Sequence, residues 1–556
     1  MKEWVKAIGK FSFTNFKFWL AASIIAAILF SLSGFGLSLQ SGYTIQDDAR
    51  QHVFWLQRLN DPDLFPNDAI ADYLSSVAPA GYKFLYWLAN SVGLEPFTFN
   101  KILPLLLGIG NSIYCYLVTI EIFPVPMAGF LTSLLLNQNL WLLDDLVSGT
   151  PRAFFYVLFL GFVYYLLRRE LLPCLLFIVL QSLFYPQTVL ISAGVFSLNL
   201  VTQKQEPYFY LVGLVTAVIT LGIYKLQTGE FSEVITLETA RQLPEFYPGG
   251  RSEFFSDNPW HFWLSARRSG FFPFEWQYSA MWLYGLSLPI VSQFPRKFPL
   301  VRHLNAKVKI IGQMLLTSLG LFCLSHVMLF RLHLPSRYSQ HTWRIAIALA
   351  TGMALTLLLH QLVQKITPSA IVKGVIIAIA LSIILYPTYA VQSYSYRLGY
   401  VTGKAPQLYQ FLQQQPKDVV IATLSSEADF IPSLARRTVL VSAEYNIPYH
   451  LDYYAQMRQR AKDLIQAQYT SSQAVLNRFI RQYRVDLWLL DRQAFAVDYL
   501  TNNSWLNQFP LAVQSAIASL QDTQPVIMSQ SDRCSIWQTT ELKLLDAKCL
   551  LKEERE

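Results

Sequence analysis

The sequence predicts a polytopic α-helical membrane protein, with about eleven transmembrane helices and a C-terminal extracytoplasmic α/β domain. Of the 556 residues, 53% are hydrophobic and only 14% are charged, whereas about a quarter of a soluble protein is charged. Apolar runs long enough to cross a bilayer alternate with short basic connections. After Val391 the pattern changes to short apolar runs that alternate with segments of helical periodicity.

The apolar run Phe18–Leu39 predicts the first membrane helix, because it is longer than the apolar core of a cleavable signal peptide. It is preceded by Lys2, Lys6, Lys10 and Lys17. The further predicted spans are Ile102–Ile122, Met127–Leu143, Ala153–Leu167, Leu172–Phe184, Val189–Val201, Tyr208–Tyr224, Ser279–Ser292, Ile310–Phe330, Ile345–Val363 and Ile371–Ala390. Whether Tyr185-Pro186 separates two helices or kinks one stays open at this point.

The connections between the spans predict the orientation. With a cytoplasmic N-terminus, the cytoplasmic connections are Glu121–Pro126, Arg168–Glu170, Thr202–Glu206, Pro295–Lys309 and Gln364–Lys373. They are rich in arginine and lysine and poor in acids, which is the positive-inside pattern. The segments predicted outside are Gln40–Lys101, Asp144–Arg152, Tyr185–Thr188, Lys225–Tyr278, Arg331–Arg344 and everything after Val391.

The C-terminal part predicts a small α/β domain with a largely parallel sheet. The predicted strands are Asp418–Leu424, Thr438–Ser442 and Val485–Leu490, and the predicted helices are Leu451–Ala467 and Ser472–Arg481. We therefore divide the chain into a membrane domain, residues 1–395, with large outer loops at 40–101 and 225–278, and a soluble domain, residues 396–556.

Charge and cysteine patterns exclude some functions. The net charge of +8 does not indicate nucleic-acid binding, because the basic residues lie mostly in connections where they set orientation. The cysteines show no metal-ligand spacing. Cys115, Cys174 and Cys323 lie in apolar runs, which indicates packing. Cys534 and Cys549 lie in the predicted extracytoplasmic domain, where a disulfide and two free thiols are both open alternatives.

Two carboxylates follow the first span directly. Asp47 and Asp48 precede His52 and the amphipathic stretch Phe54–Leu59, which predicts a helix along the membrane surface. One interpretation is that either carboxylate only caps this helix. The other is a general base or metal ligand at the lipid–water boundary, where partial desolvation raises basicity.

Further polar clusters are predicted on the same face. Asp145 and Arg152 flank a segment that also fits a turn, followed by a helix that Thr150 caps. Arg337, Tyr338, His341 and Arg344 lie in the predicted outer connection Arg331–Arg344.

Several cations in this predicted outer connection run against the positive-inside pattern, so they call for another explanation. Arginine is a candidate ligand for phosphate, because its planar set of N–H donors matches the phosphate oxygens. Snorkelling to lipid headgroups explains Arg331 and Arg344 but not Arg337 in a polar loop. Arg251 follows Gly249-Gly250 in a loop rich in aromatic residues. Such a loop fits contact with a sugar, and it fits a position at the lipid–water interface equally well.

The convergence of acids and arginines from separate loops is what a reaction on a lipid-phosphate substrate requires. The chain resembles the GT-C superfamily of membrane glycosyltransferases, which use polyprenyl-phosphate-linked sugars. The resemblance covers nearly the whole chain as architecture, and Asp47-Asp48 is its one specific motif. The segments 148–152, 184–187 and 334–338 also resemble bacterial membrane proteins of this type. The Trp-Trp-Asp signature of the oligosaccharyltransferase branch is absent from the sequence, which argues against transfer to protein asparagine.

The resemblance implies a mechanism and partners. Asp48, or its neighbour Asp47, would deprotonate an acceptor hydroxyl of a glycan, lipid or protein, and the oxygen would attack the anomeric carbon of the donor. The resemblance implies no particular cofactor, because members of the superfamily differ in their use of a divalent metal; if Mg²⁺ or Mn²⁺ binds, Asp47 and Asp145 are the candidate ligands. Arg337, with Arg344 or Arg152, would stabilise the departing phosphate. The candidate substrate-binding residues are Arg337, Tyr338, Arg344, His341, Arg152, Asp145, His52 and Arg251. The implied location is the bacterial inner membrane.

Two rival functions belong to other classes. A transporter or flippase of lipid-linked saccharides predicts internal repeats and ionisable residues in the middle of spans, and neither is evident. A non-catalytic scaffold of the same shape would act through its α/β domain. The Asp48→Asn variant separates an enzyme from a scaffold, because fold alone does not establish activity.

Overall fold

The computed structural model describes residues 15–203, 206–227, 233–273, 281–366 and 398–551, together with isolated residues between 372 and 382. Within these residues, six helices are long and apolar enough to cross a membrane, namely Phe16–Ser38, Pro96–Ile122, Pro151–Arg168, Pro207–Leu226, Ala306–Val327 and Ser336–Leu362. Shorter apolar helices span Leu171–Phe184 and Gln187–Thr202. The chain is thus mostly helical and built to lie in a membrane, and the predicted count of about eleven spans is not confirmed.

The helices of the predicted membrane region follow the apolar runs closely. Their bounds are Phe16–Ser38, Pro96–Ile122, Pro126–Leu140, Phe155–Arg168, Leu171–Phe184, Gln187–Thr202, Pro207–Gln227, Met281–Val291, Lys309–Val327 and Ser336–Ile366. The last predicted span, 371–390, and the lysines at positions 2, 6 and 10 lie outside the described residues, apart from isolated helical positions. At Tyr185-Pro186 the structure has two helices, because Tyr185 leaves the helical conformation and Pro186 offers no N–H.

The helix Ser336–Ile366 lies at the centre of the bundle. In its apolar part 78% of the residues are buried, against 22% for Pro207–Leu226 at the periphery. It packs against Pro126–Leu140 so closely that a Cβ on Gly352 would lie 2.2 Å from the Thr132 hydroxyl oxygen. This close packing fixes the first turns of the helix, Ser336 to Arg344, beneath the outer loops.

The predicted cytoplasmic connections meet at one end of the bundle. Glu121 lies 2.5 Å from Lys307 and 3.6 Å from Arg168. Arg169 in turn lies 2.9 Å from Glu206. Four connections that the basic pattern placed on one side therefore contact each other on one side.

The first outer segment is held by the C-terminal part of the chain. It contains helices at Ala49–His52, Ala69–Val77 and Ala80–Ser91 and a 3₁₀ turn at Phe54–Leu59. The stretch Phe54–Leu59 was expected to lie along the membrane as an amphipathic helix. Its Phe54, Trp55 and Leu56 are instead buried, and the Phe54 ring lies 5.3 Å from that of Tyr445. The apolar face is thus covered by protein, which removes the reason for contact with lipid.

A two-stranded sheet joins the two ends of the membrane region. Strand β1, Thr44–Gln46, pairs antiparallel with β2, Tyr400–Thr402. The Asp47 N–H continues the ladder to the Gly399 carbonyl oxygen at 2.6 Å. The strand that carries the first predicted carboxylate is therefore fixed by residues far along the chain.

The C-terminal region contains a five-stranded sheet in the order β4-β3-β5-β7-β6. Its strands are β3 Val420–Thr423, β4 Thr438–Val439, β5 Leu487–Asp491, β6 Ser535–Gln538 and β7 Leu542–Asp546. The α-helices around them are Pro406–Gln413, Ile431–Leu434, Leu451–Tyr469, Gln473–Tyr483, Val497–Thr501, Pro510–Asp522, Val526–Gln530 and Ala547–Leu550.

The sheet is mixed and not largely parallel. The predicted strands β3, β4 and β5 pair in parallel, and the unpredicted hairpin β6–β7 adds antiparallel pairing on β5. The hairpin escaped the sequence analysis because β6 is a half-exposed edge strand without an apolar run. Cys534 and Cys549 form a disulfide beside this hairpin, which decides between the two alternatives.

Candidate active site at the outer end of the bundle

Asp47 and Asp48 lie at the turn between β1 and the helix Ala49–His52. Asp48 occupies the cap position of this helix, yet its side chain accepts no capping hydrogen bond. Its carboxylate instead forms an ion pair with Arg152, while that of Asp47 pairs with Arg50. Capping alone therefore does not account for the two acids.

Arg152 is the centre of a carboxylate cluster. Besides Asp48, its guanidinium lies 3.0 Å from a carboxylate oxygen of Asp144 and 3.6 Å from one of Asp145. Thr150 makes no capping bond to the following turn. The segment 144–152 thus has a role beyond starting a helix, because it brings two acids and one cation to the first outer loop. We name Asp48, Asp144, Asp145 and Arg152 the carboxylate cluster.

A buried polar group from two membrane helices supports the carboxylate cluster. Arg344 pairs with Asp145 and donates to the Tyr156 hydroxyl at 3.0 Å. The same hydroxyl lies 2.9 Å from Nδ1 of His341, which in turn lies 3.8 Å from Asp145. Buried charges require such partners, so Arg344 and His341 position Asp145.

The C-terminal region contributes Glu444. Its carboxylate lies 2.9 Å from Arg50, accepts from Gln51 and lies 2.6 Å from Arg251. Glu444 and Arg50 are 394 residues apart in sequence. One carboxylate thus ties the C-terminal region to the first outer loop and to the long loop that carries Arg251.

The charge arrangement shifts several pKa values. Burial raises the pKa of Asp48, but the guanidinium groups of Arg152 and Arg267 outweigh it and hold this pKa well below its usual range. The pKa of Asp145 is likewise held low, because Arg344 outweighs burial. Burial lowers the pKa of His52 to about 4 although Asp48 opposes it. At neutral pH both acids are therefore ionised and His52 is neutral. The higher basicity that desolvation was expected to give Asp48 is not found, because the two arginines outweigh it.

Glu444 behaves in the opposite way. Burial raises its pKa to about 7, although Arg251 and Arg50 lower it. A folded-state value above the ordinary 4.5 means that the contribution of this group to stability is largest below about pH 4.5. That contribution is lost as the pH rises through about 7.

We expect the Glu444→Gln variant to lack the pH dependence of folding stability that Glu444 causes, because glutamine does not ionise. Thermal unfolding of the purified protein in detergent, followed between pH about 4.5 and 8, measures it. The stability of the wild type relative to the variant should fall as the pH rises. Asp463→Asn, which lies in the C-terminal region away from the cluster, is the control. Parallel curves for wild type and Glu444→Gln would contradict the expectation.

Two arginines beside the cluster form no ion pair with an acid among the residues that the structure describes. Arg268 donates to the Tyr449 hydroxyl at 2.6 Å and to the Arg251 carbonyl oxygen at 3.2 Å. Arg337 follows Ser336, whose N–H bonds to the Arg268 carbonyl oxygen at 3.2 Å. Within the described residues neither guanidinium forms an ion pair with a carboxylate. The neighbouring arginines with such a pair are Arg50, Arg152, Arg251, Arg267 and Arg344. We name Arg268 and Arg337 the unpaired arginines.

The structure brings most predicted site residues together. Asp47, Asp48, Asp145, Arg152, Arg251, His341 and Arg344 lie in or beside the ion-pair network, and His52 contributes to the electrostatics of Asp48. Tyr338 differs, because its buried hydroxyl donates to the Leu332 carbonyl oxygen at 2.7 Å. This bond gives Tyr338 a role in holding the loop, and its contact with substrate stays a prediction.

Sequence reasoning missed Tyr156 and Glu444. Tyr156 carries a usable signal, since it lies one helical turn after Arg152 and therefore on the same face. Glu444 carries none, because only the docking of the C-terminal region brings it to Arg50 and Arg251.

The arrangement does not fit a bound divalent metal. Within the part of the chain that the structure describes, no three His, Cys, Asp or Glu side chains could jointly hold an ion. The two candidate ligands are engaged by guanidinium groups, Asp47 by Arg50 and Asp145 by Arg344 and Arg152. Metal binding by Asp47 or Asp145 stays a prediction.

The comparisons with known proteins give structural likeness only. No protein-family model and no curated protein matches the chain. The archaeal oligosaccharyltransferase AglB from Archaeoglobus fulgidus, in complex with an inhibitory peptide and a dolichol-phosphate, matches with a TM-score of 0.52 at 11% identity. The match covers 89% of this chain and 72% of that one.

Two further solved structures also match the chain. A. fulgidus oligosaccharyltransferase tethered to an acceptor peptide matches with a TM-score of 0.50 at 13% identity, again over 89% and 72% of the chains. ArnT from Cupriavidus metallidurans in the apo state matches with a TM-score of 0.48 at 11% identity over 95% and 98%. The two oligosaccharyltransferase structures carry the structural conclusion: this chain shares their overall fold.

Proposed function

We propose that the protein is a membrane glycosyltransferase that moves a sugar from a polyprenyl-phosphate-linked donor to an acceptor on the extracytoplasmic side. The observation that carries this proposal is the juxtaposition of the carboxylate cluster with the unpaired arginines. Arg268 and Arg337 are half-buried, and withdrawing a cation from water without an acid beside it is unfavourable unless an anion binds. A lipid phosphate supplies that anion, and arginine matches its oxygens.

The exposed acids are the candidates for contact with the acceptor. The side chains of Asp47 and Asp48 are 41% and 26% exposed, whereas that of Asp145 is 7% exposed. We therefore assign the acceptor to Asp48 or Asp47, and we assign Asp145 to positioning Arg152 and Arg344. Asp145 would then hold the two arginines in place and would not contact the substrate itself.

The reaction then runs in one displacement. The acceptor hydroxyl hydrogen-bonds to the Asp48 or Asp47 carboxylate and loses its proton to it as the oxygen attacks the anomeric carbon. The bond from that carbon to the phosphate oxygen breaks, and its electron pair stays on the lipid phosphate. The unpaired arginines stabilise this developing charge, which is greatest in the transition state.

The position in the membrane is part of the proposal. We place the N-terminus in the cytoplasm and propose about eleven spans within residues 1–395, with an extracytoplasmic domain at 396–556. Three features support this orientation: the basic connections share one end of the bundle, the site lies at the other end, and the C-terminal region contains a disulfide.

The test follows lipid-linked sugars in native lipid extract by mass spectrometry, with the purified protein and its Asp48→Asn variant. We expect the wild type to deplete one lipid-phosphate sugar and Asp48→Asn to do so at least about 100-fold more slowly. Asp72→Asn, in the helix Ala69–Val77 of the same outer segment, is the control. A wild type that depletes no such lipid would overturn the proposal and favour a transporter or a scaffold.

A further inference from the structure

A pocket beside the β1–β2 sheet is lined by residues of both strands. Its volume is about 220 Å³, and its walls come from the first outer segment, the start of the helix Pro96–Ile122 and the C-terminal region. The lining residues that matter for its chemistry are Gln46, Gln57, Glu95, Lys101, Tyr400 and Arg436. The proposed mechanism does not use this pocket.

The pocket carries excess positive charge. Lys101 is half-buried in the second turn of its helix, and in the described structure its ammonium group has neither an ion pair nor a hydrogen bond. Arg436 reaches the pocket from the C-terminal region, and its nearest carboxylate, Glu95, lies 3.9 Å away with its side chain 61% exposed. Two cations thus face one largely solvated acid, which favours an anionic ligand.

The pocket lies near the end of one candidate membrane helix and the start of another. The helix Phe16–Ser38 ends shortly before Gly42, and the helix Pro96–Ile122 begins at the pocket; both have the length and composition of membrane spans. The N-terminal end of the second helix adds the positive end of its dipole. A ligand with an anionic headgroup here and an apolar tail in the bilayer satisfies all of these features.

Gly399 lies close both to the lining of the pocket and to the acids of the site. Gly399, at a φ of +68°, lies where an added Cβ would be 2.9 Å from Gln46 Nε2 and 3.6 Å from the Asp47 Cβ. Gln46 lines the pocket, and Asp47 faces the site. A headgroup in the pocket therefore lies next to the acids that would receive an acceptor hydroxyl.

We propose that this pocket binds the phosphate-bearing headgroup of a membrane lipid that serves as the sugar acceptor. The headgroup phosphate is held by Lys101 and Arg436, and the lipid tail lies beside the helix Pro96–Ile122. Binding of the headgroup stands on the pocket alone, whereas the acceptor role rests on the proposed function. The donor phosphate and the acceptor phosphate thus bind to different arginine and lysine residues.

The test uses the full chain in phosphatidylcholine nanodiscs, with dioleoyl phosphatidic acid as the probe and native mass spectrometry as the readout. We expect the double variant Lys101→Met/Arg436→Gln to bind the probe at least about tenfold more weakly than the wild type. The exposed Lys548→Met is the matched control and should bind as the wild type does. Thermal unfolding in the same nanodiscs shows whether the double variant is folded. If it is not, the single variants Lys101→Gln and Arg436→Lys replace it.

A second arm separates the two sites and the two sources of phosphate. Polyprenyl phosphate should bind equally to the wild type and the double variant, and more weakly to Arg337→Gln. Retained binding of phosphatidic acid by the folded double variant would overturn the headgroup site. Displacement of the lipid by equimolar inorganic phosphate would overturn the lipid as ligand. Loss of probe binding in a protein that consumes no lipid-linked sugar would overturn the acceptor role and leave the headgroup site standing.

Discussion

Replacing Arg152 with methionine is expected to destabilise the folded protein by about 3–5 kcal/mol. Arg152 contacts Asp48, Asp144 and Asp145 with a side chain that is largely buried. Without it, the carboxylates of Asp48, Asp144 and Asp145 lose the guanidinium that they share at low solvent exposure, and like charges that are buried repel strongly. Chemical unfolding in detergent, monitored by tryptophan fluorescence, measures the loss.

A double-mutant cycle makes this prediction specific to the carboxylate cluster. Asp48→Asn in the Arg152→Met background removes one of the repelling charges, so the double variant should be more stable than Arg152→Met alone. Arg168→Met is the matched control, because its ion pair with Glu170 is exposed and lies at the other end of the bundle. Exposed pairs contribute about 0–1 kcal/mol. Equal losses for Arg152→Met and Arg168→Met would show that the cluster is not the stabilising element.

Replacing Arg337 with glutamine is expected to lower the rate of sugar transfer by about 10²–10³. Removing one preorganised donor from a developing negative charge has effects of this size. Stability should change little, because the Arg337 guanidinium has no carboxylate partner in the described part of the chain. Steady-state kinetics with a lipid-linked sugar should therefore show a fall in kcat while the unfolding temperature stays near that of the wild type.

The neighbouring Arg331 provides the matched control for this second prediction. It is exposed and belongs to the same predicted loop, so Arg331→Gln removes the same charge near the same membrane face. We expect wild-type kinetics from it. An equal loss of rate in both variants would indicate a general effect of surface charge, and an unchanged rate in Arg337→Gln would remove the unpaired arginines from the mechanism.

The sequence was most informative where a local pattern has one physical solution. Apolar runs predicted helices at ten positions, since a backbone in lipid must satisfy its hydrogen bonds internally. The basic connections predicted which helix ends lie together, and the contacts of Glu121 with Arg168 and Lys307 agree. Asp48, Arg152 and Arg344 stood out because charges are unfavourable near a bilayer unless they have a function.

Other features depended on distant parts of the chain. The stretch Phe54–Leu59 has an apolar face that membrane and protein could cover equally well, and the C-terminal region covers it. The hairpin β6–β7 has no strong strand pattern of its own and forms because β5 offers an edge. Periodicity reports what a segment buries, but not against which partner.

The sequence alone thus predicted a helical membrane protein and the positions of its apolar helices. It also predicted which acids and arginines share one membrane face. Only the tertiary structure decided which charges are paired. It showed Asp48 held by Arg152 and Glu444 brought from the C-terminal region to Arg50 and Arg251. Among the residues described, it left Arg268 and Arg337 without an ion pair to an acid. The reason is physical: the energy of a charge depends on its distance to other charges, and folding sets that distance between residues far apart in the chain.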